Sequence, residues 1–149
     1  MCHQCNYREL LKRSGLGYTP HRLRILEIVG NNTSPLSAQE IFTTLNRTRP
    51  INRVTVYRVL DALVDHGLVS RLSGGGRSFF YGLAPNANHS PHPHFYCTTC
   101  GDLTCLDPGS LTLSTDQLKR TFPGQIQNVE IRIDGICKGC LKSLPGGPT

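Results

Sequence analysis

Apolar side chains in the first half of the chain recur every three or four positions, the spacing that lines one face of an α-helix. Four segments follow this rule. Residues 6–14 predict a short helix with Leu10 and Leu11 inward, ending near Gly15 or Gly17. Thr19-Pro20 predicts a helix start, Thr as N-cap and Pro in the first turn, followed by Leu23, Ile25, Leu26, Ile28 and Val29 and stopped by Gly30-Asn31-Asn32. Ser37-Ala38-Gln39-Glu40 has the form of a capping box and opens a third helix through Ile41, Phe42 and Leu45. Residues 53–66 form the longest amphipathic stretch, with Val56, Leu60, Leu63 and Val64 on one side and Gly67 to close it.

The period then changes. Residues 68–72, a run of three glycines at 74–76, and residues 78–81 read as strand, turn, strand. Three helices followed by a hairpin is the order of a winged helix-turn-helix domain, with 53–66 as recognition helix and the 73–77 loop, carrying Arg77, as wing. Residues 84–93 lack apolar periodicity and read as a hinge. Beyond it, short strands are expected at 94–97 and 102–106, a helix at about 115–122 after Ser114 or Thr115, and a half-buried strand at 129–133. The Pro/Gly-rich tail from Leu144 is expected to be flexible. The fold class is therefore α+β: a winged-helix DNA-binding domain over residues 1–83, a hinge at 84–93, and a small α/β metal-binding unit over 94–149.

Charge divides the same way. Residues 1–83 hold eleven Arg/Lys against five Asp/Glu, whereas 84–149 hold five of each, so the whole formal excess of +6 lies in the first part. Ten of the eleven cations are arginine, which grips phosphate as a bidentate fork. That asymmetry points to an anionic partner, most simply duplex DNA. Arg53, Thr55, Tyr57 and Arg58 lie near the start of the recognition helix, where side chains enter the major groove, and Arg22 and Arg77 are further DNA-binding candidates. No apolar run is long enough for a bilayer and no signal peptide precedes the first helix, so the expectation is a cytoplasmic protein without a membrane partner.

Seven cysteines in such a chain suggest metal or redox chemistry rather than disulfides. Cys97-Thr98-Thr99-Cys100 and Cys137-Lys138-Gly139-Cys140 are paired knuckles, each placing two thiolates on one side of a tight turn. Four thiolates close a tetrahedral Zn²⁺ site with no position open for chemistry, so this zinc is read as structural. Just upstream, His92 and His94 are two residues apart and face one side of an extended segment, with Cys105 on the next strand; together they suggest a second metal. Cys2, Cys5, His3 and His89 are possible additional ligands, with a non-ligating terminus weighed equally for Cys2-His3-Gln4-Cys5.

These motifs, taken together, resemble the ferric uptake regulator family. The resemblance rests on Thr19-Pro20-His21-Arg22, Ser37-Ala38-Gln39-Glu40-Ile41-Phe42, Thr55-Val56-Tyr57-Arg58-Val59-Leu60, Gly67-Leu68-Val69 and the segment from Arg77 to Tyr81. It continues through His92-Pro93-His94-Phe95-Tyr96-Cys97-Thr98-Thr99-Cys100-Gly101 and Gly135-Ile136-Cys137-Lys138-Gly139-Cys140. It implies a homodimer that binds a palindromic operator in a metal-dependent way, usually as a repressor. The four cysteines match the family's structural zinc, and His92 and His94 match histidines of its sensing sites.

The departures concern the sensing site. Pro35 stands where the family often has a histidine, Gly82 where an acidic residue is common, Cys105 where an acidic ligand is usual, and Val129 where a histidine is common. Thiolate with imidazole suits Zn²⁺ better than an oxygen-rich site would, while Fe²⁺, Mn²⁺ and Ni²⁺ stay open. The preferred reading is a zinc-responsive regulator of metal homeostasis genes; a thiol- or peroxide-sensing regulator of the same family is the alternative. No catalytic residue is expected: the chain has neither the His-x-Glu with Pro-Cys-x-x-Cys of zinc deaminases nor His-Glu-x-x-His. A zinc-stapled oxidoreductase or interaction module remains the competing class, although two knuckles flanking a small domain fit the first poorly and the second gives no reason for an arginine-rich first half.

Overall fold

A computed structural model describes residues 5–75, 78–86, 89 and 91–144. The elements run α1 (Tyr7–Arg13), α2 (Pro20–Asn31), β1 (Leu36–Ser37), α3 (Ala38–Asn46), α4 (Arg53–Asp65), β2 (Val69–Ser73) and β3 (Phe79–Leu83). They continue with β4 (His94–Cys97), β5 (Leu103–Cys105), α5 (Thr115–Thr121), β6 (Arg132–Gly135) and α6 (Lys138–Ser143). No described helix is long and apolar enough to cross a membrane.

Local chemistry sets the helix starts. Asn6 accepts from Glu9 N, and Thr19 Oγ1 accepts from Arg22 N at 3.2 Å ahead of Pro20. Ser37 and Glu40 close both halves of their capping box, at 3.1 Å and 2.8 Å. Asn52 Oδ1 accepts from Val54 N at 2.8 Å and caps α4. At the other end of α4, Gly67 takes φ +72°, and Leu68 N reaches back to Leu63 O at 2.9 Å. This is a Schellman stop, and it delivers the chain directly into β2. Gly30, expected to end α2, instead lies within it. A side chain there would meet the Tyr7 ring at 2.5 Å, so the glycine makes room for α1 to pack on α2.

The first sheet has order β1-β3-β2, all antiparallel. β1 is only two residues long, too short for any periodicity to announce it. The core lies between this sheet and the helices: Leu11, Ile25, Leu26, Ile41, Val56, Leu60 and Leu63 are fully buried.

The second sheet has order β5-β4-β6, with β5 antiparallel and β6 parallel to β4. Its register pairs His94 with Cys105 on one side and with Arg132 on the other. The strand expected at 129–133 is shifted: β6 begins at Arg132, because the parallel ladder to β4 chooses the residues. It is not half-buried either, since Val129 and Ile133 are 47% and 41% exposed. From residue 94 onward, Cys97 and Leu103 are the sole buried apolar residues described, and α5 buries none. Leu111, Leu113, Phe122, Ile126 and Ile136 are exposed as well. Among the described residues this unit therefore has little apolar core of its own, which is the situation in which a metal staple contributes most.

Candidate metal centres and DNA-facing helix

Cys97 ends β4, Cys100 closes the turn after it, Cys137 is the N-cap of α6, and Cys140 sits in its first turn. Gly139 therefore serves a helix rather than the tight turn its spacing suggested, whereas Gly101, after the first pair, does take a left-handed φ of +81°. The four sulfurs lie within 4.8 Å of one another, with Cys97–Cys140 at 3.8 Å and Cys100–Cys137 at 3.9 Å. A tetrahedron with Zn–S bonds of about 2.3 Å has edges of about 3.8 Å, so the cage fits that ion. The N–H groups of Cys100 and Cys137 point at Cys97 Sγ from 3.4 and 3.3 Å. They pull its thiol down to about 6. Cys140 is pushed up to about 12, first by its contact with the Cys137 sulfur. Four crowded sulfurs resist losing all their protons until a cation balances them, which is the state a divalent ion stabilises.

His92, His94 and Cys105 form a second cluster, again with ligand atoms within 4.8 Å. The β4–β5 register sets Cys105 directly beside His94. The His92 and His94 ring centroids are 4.7 Å apart, and the His89 ring stands edge-on to His92 at 5.2 Å. Burial lowers His94 to about 4, helped by the neighbouring His92 and His89 rings. The imidazole is thus neutral at neutral pH, the form that ligates. Burial raises the Cys105 thiol, so a bound cation must displace its proton. Two imidazoles and one thiolate suit a borderline-soft cation such as Zn²⁺. Cys5, one of the possible additional ligands, does not join this group: its sulfur is disulfide-bonded and accepts from Asn86 Nδ2 at 3.9 Å. Cys2 and His3 lie outside the described residues. Asn86 and His89 bond to each other as an isolated antiparallel bridge within the segment read as a hinge.

α4 buries Val56, Leu60 and Leu63 and turns its other face outward. Val54 and Tyr57 are 53% and 43% exposed, Arg58 is exposed, and Thr55 is half-buried. Arg58 has no hydrogen-bond or ion-pair partner among the described residues. Arg53 is partly committed: it donates to Gln39 Oε1 and stacks on Phe42 at 4.4 Å. Arg22 donates through Nη1 to Leu16 O at 2.9 Å, so part of its guanidinium braces the turn before α2. Arg77 lies outside the described residues.

The family model for the ferric uptake regulator family matches residues 13–133. The chain belongs to this family. It is a metal-binding, DNA-binding transcription regulator and not an enzyme. It is 29% identical over 136 residues to the peroxide operon regulator of Bacillus subtilis, covering 90% of both chains. It is 29% identical over 142 residues to the ferric uptake regulation protein of Vibrio cholerae, covering 92% of both. The crystal structure of a Vibrio cholerae ferric uptake regulator superimposes with a TM-score of 0.70 at 26% identity, over 89% of this chain and all of that one. Regulators of this family respond to metals, with iron, peroxide, zinc and manganese sensors among them, and are generally dimers.

Against that background the positions that depart from the family pattern acquire a location. Pro35, Gly82 and Val129 all line one cleft of about 440 Å³, together with His89, His92, His94 and Cys105. Pro35 and Gly82 are neighbours: a side chain on Gly82 would start 3.7 Å from Pro35 Cγ. The winged-helix side of the cleft thus offers no donor at either position. Every clustered ligand comes from β4, β5 or the segment just before them. Sequence reasoning passed over two residues here, Glu130, which lines the cleft, and Arg132, the register partner of His94. Their contacts with Ser73 span 57 and 59 positions, so no local pattern marks them.

Proposed function

We propose that this chain is a zinc-responsive regulator that binds a palindromic operator as a homodimer. The observation that carries the reading is the donor set of the second centre, His92, His94 and Cys105, which contains no carboxylate. His89, whose ring stands beside His92, is the nearest candidate for a fourth ligand. Cys97, Cys100, Cys137 and Cys140 hold a structural zinc in the second unit. Bound at the second centre, the regulatory ion supplies a cross-link among side chains of β4, β5 and the preceding segment. Residues 1–83 form the DNA-binding domain, 84–93 the hinge, and 94–149 the dimerisation domain. The exposed apolar residues of the last of these, Phe122, Val129 and Ile133 among them, provide the surface that a second copy covers.

The chain's own residues do the rest. Arg58, Tyr57 and Thr55 project from the outward face of α4 toward base edges and phosphates, while Arg53 is steadied by Gln39 and Phe42. The buried side of the same helix fixes that projection on a rigid core, so a shift of the whole domain moves all of these contacts together.

Arg58→Ala should weaken binding to operator duplex by about 1–3 kcal/mol, and should lower the slope of log affinity against log salt by about one if the contact is to phosphate. Fluorescence anisotropy at several salt concentrations measures both. Because Arg58 is exposed and has no partner among the described residues, the variant should keep its thermal stability and metal content. Unchanged operator affinity in this variant would remove α4 from the DNA interface.

A further inference from the structure

With Pro35 and Gly82 unable to ligate, no described ligand ties the second metal centre to the winged helix, yet another contact does join the two. Three side chains of the second unit, Glu130, Arg132 and Tyr96, reach the end of β2 and the glycines after it, and Asp134 braces one of them. Glu130 Oε1 accepts from Ser73 N at 3.0 Å. Arg132 Nη1 donates to Ser73 O at 3.2 Å and to Gly74 O at 2.8 Å. Asp134 holds the other edge of the guanidinium through two bonds, 2.8 Å to Nε and 3.1 Å to Nη2. The Tyr96 ring lies under the same guanidinium at 5.4 Å, and it packs where a Gly75 side chain would have to go.

The grip engages the N–H and the C=O of one residue, Ser73, at the base of the wing. A charged group makes each of these bonds, and such bonds are the stronger kind. Tyr96 sits on β4, the strand of the sensing histidine, Arg132 and Asp134 sit on β6 beside it, and Glu130 lies just before β6. Arg132 is the register partner of His94, and Tyr96 lies two residues after His94 on β4 with Asp134 beside it. His94 N also bonds to Ile131 O, between Glu130 and Arg132, at 3.0 Å. A change in how β4 is held is therefore one residue away from the guanidinium that holds the wing.

We infer that Glu130 and Arg132 are positioning residues that latch the wing to the metal-sensing unit. Occupancy of the His92–His94–Cys105 centre reaches the DNA-binding helices through this latch, in place of a ligand donated by the winged helix. The inference rests on the zinc-sensing reading above. It requires only that the latched arrangement bind zinc more tightly than the unlatched one.

The test compares wild type with Arg132→Ala, Arg132→Lys and Glu130→Gln as full-length proteins. Three quantities are read: Zn²⁺ affinity by chelator competition, operator affinity with and without Zn²⁺, and hydrogen exchange at Ser73–Gly75. In wild type, Zn²⁺ should slow exchange at Ser73 and raise operator affinity. In Arg132→Ala the Zn²⁺-dependent gain in operator affinity should fall by about tenfold or more, with Zn²⁺ still bound at the second centre and exchange at Ser73 no longer slowed. Arg132→Lys, which keeps one charged donor, should recover part of the gain. Glu130→Gln keeps the size of the side chain and should show the same loss in weaker form, which covers the case of a poorly folded Arg132→Ala. Variants that retain the full wild-type gain overturn the latch. A wild type whose operator binding ignores Zn²⁺ overturns the sensing reading itself, so the two failures are distinct.

Discussion

Cys97→Ser should strip the tightly held zinc from the protein and unfold its second unit. Cys97 is the hub of the cage. It is nearly inaccessible, its sulfur faces Cys140 at 3.8 Å, and it takes backbone N–H groups from both knuckles. Serine is close in size but is not a thiolate, so the cost arises from lost ligation rather than lost volume. Structural zinc contributes about 10–16 kcal/mol in small zinc-dependent peptides. The second unit has little to set against such a loss, since Cys97 and Leu103 are its sole buried apolar residues among those described. The variant should lose chelator-resistant zinc, its dimer in sedimentation, and the cooperative melting of the second unit. The winged helix has its own core of buried Leu, Ile and Val residues and should keep its helical signal. Full metal content with an unchanged melting profile would contradict the structural assignment of the four cysteines.

Cys105→Asp should change which metal the second centre prefers. The substitution keeps one anionic donor beside His94 and replaces soft sulfur by hard oxygen, so charge is held while softness changes. Zinc affinity at this centre should fall by more than the roughly 10–100-fold lost when only a ligand's supporting partner is removed. Manganese and iron affinity should fall less or rise, bringing the ratio toward that of an oxygen-containing site. Chelator competition with Zn²⁺ and Mn²⁺ measures the ratio, with the four-cysteine centre as an internal reference. A variant with the wild-type ratio would mean that Cys105 does not ligate.

The parts of this molecule that were readable from sequence are those with local causes. Thr19-Pro20, the Ser37–Glu40 box and Gly67 each act within a few residues, and each sits at a helix end in the structure. The cysteine spacings were readable for the same reason, since each pair lies within one turn or one helical turn. What escaped depends on distant partners. β1 exists through its pairing with β3, and the register of β6 is chosen by β4 rather than by the alternation at 129–133. Gly30 resembles a helix stop until the Tyr7 ring is seen against it. The fate of Cys5 and the grip of Glu130 and Arg132 on Ser73 likewise depend on chain segments brought together only by folding.

The central claim is that a nitrogen- and sulfur-ligated centre makes operator binding respond to zinc. Operator affinity titrated in parallel with Zn²⁺, Fe²⁺, Mn²⁺ and Ni²⁺, under reducing conditions and with the four-cysteine centre already loaded, tests it most directly. The account predicts a rise in affinity with Zn²⁺ at the lowest free-metal concentration of the four, and loss of that rise in a His94→Ala protein that keeps its structural zinc. Operator binding that is the same with and without metal at the second centre would contradict it.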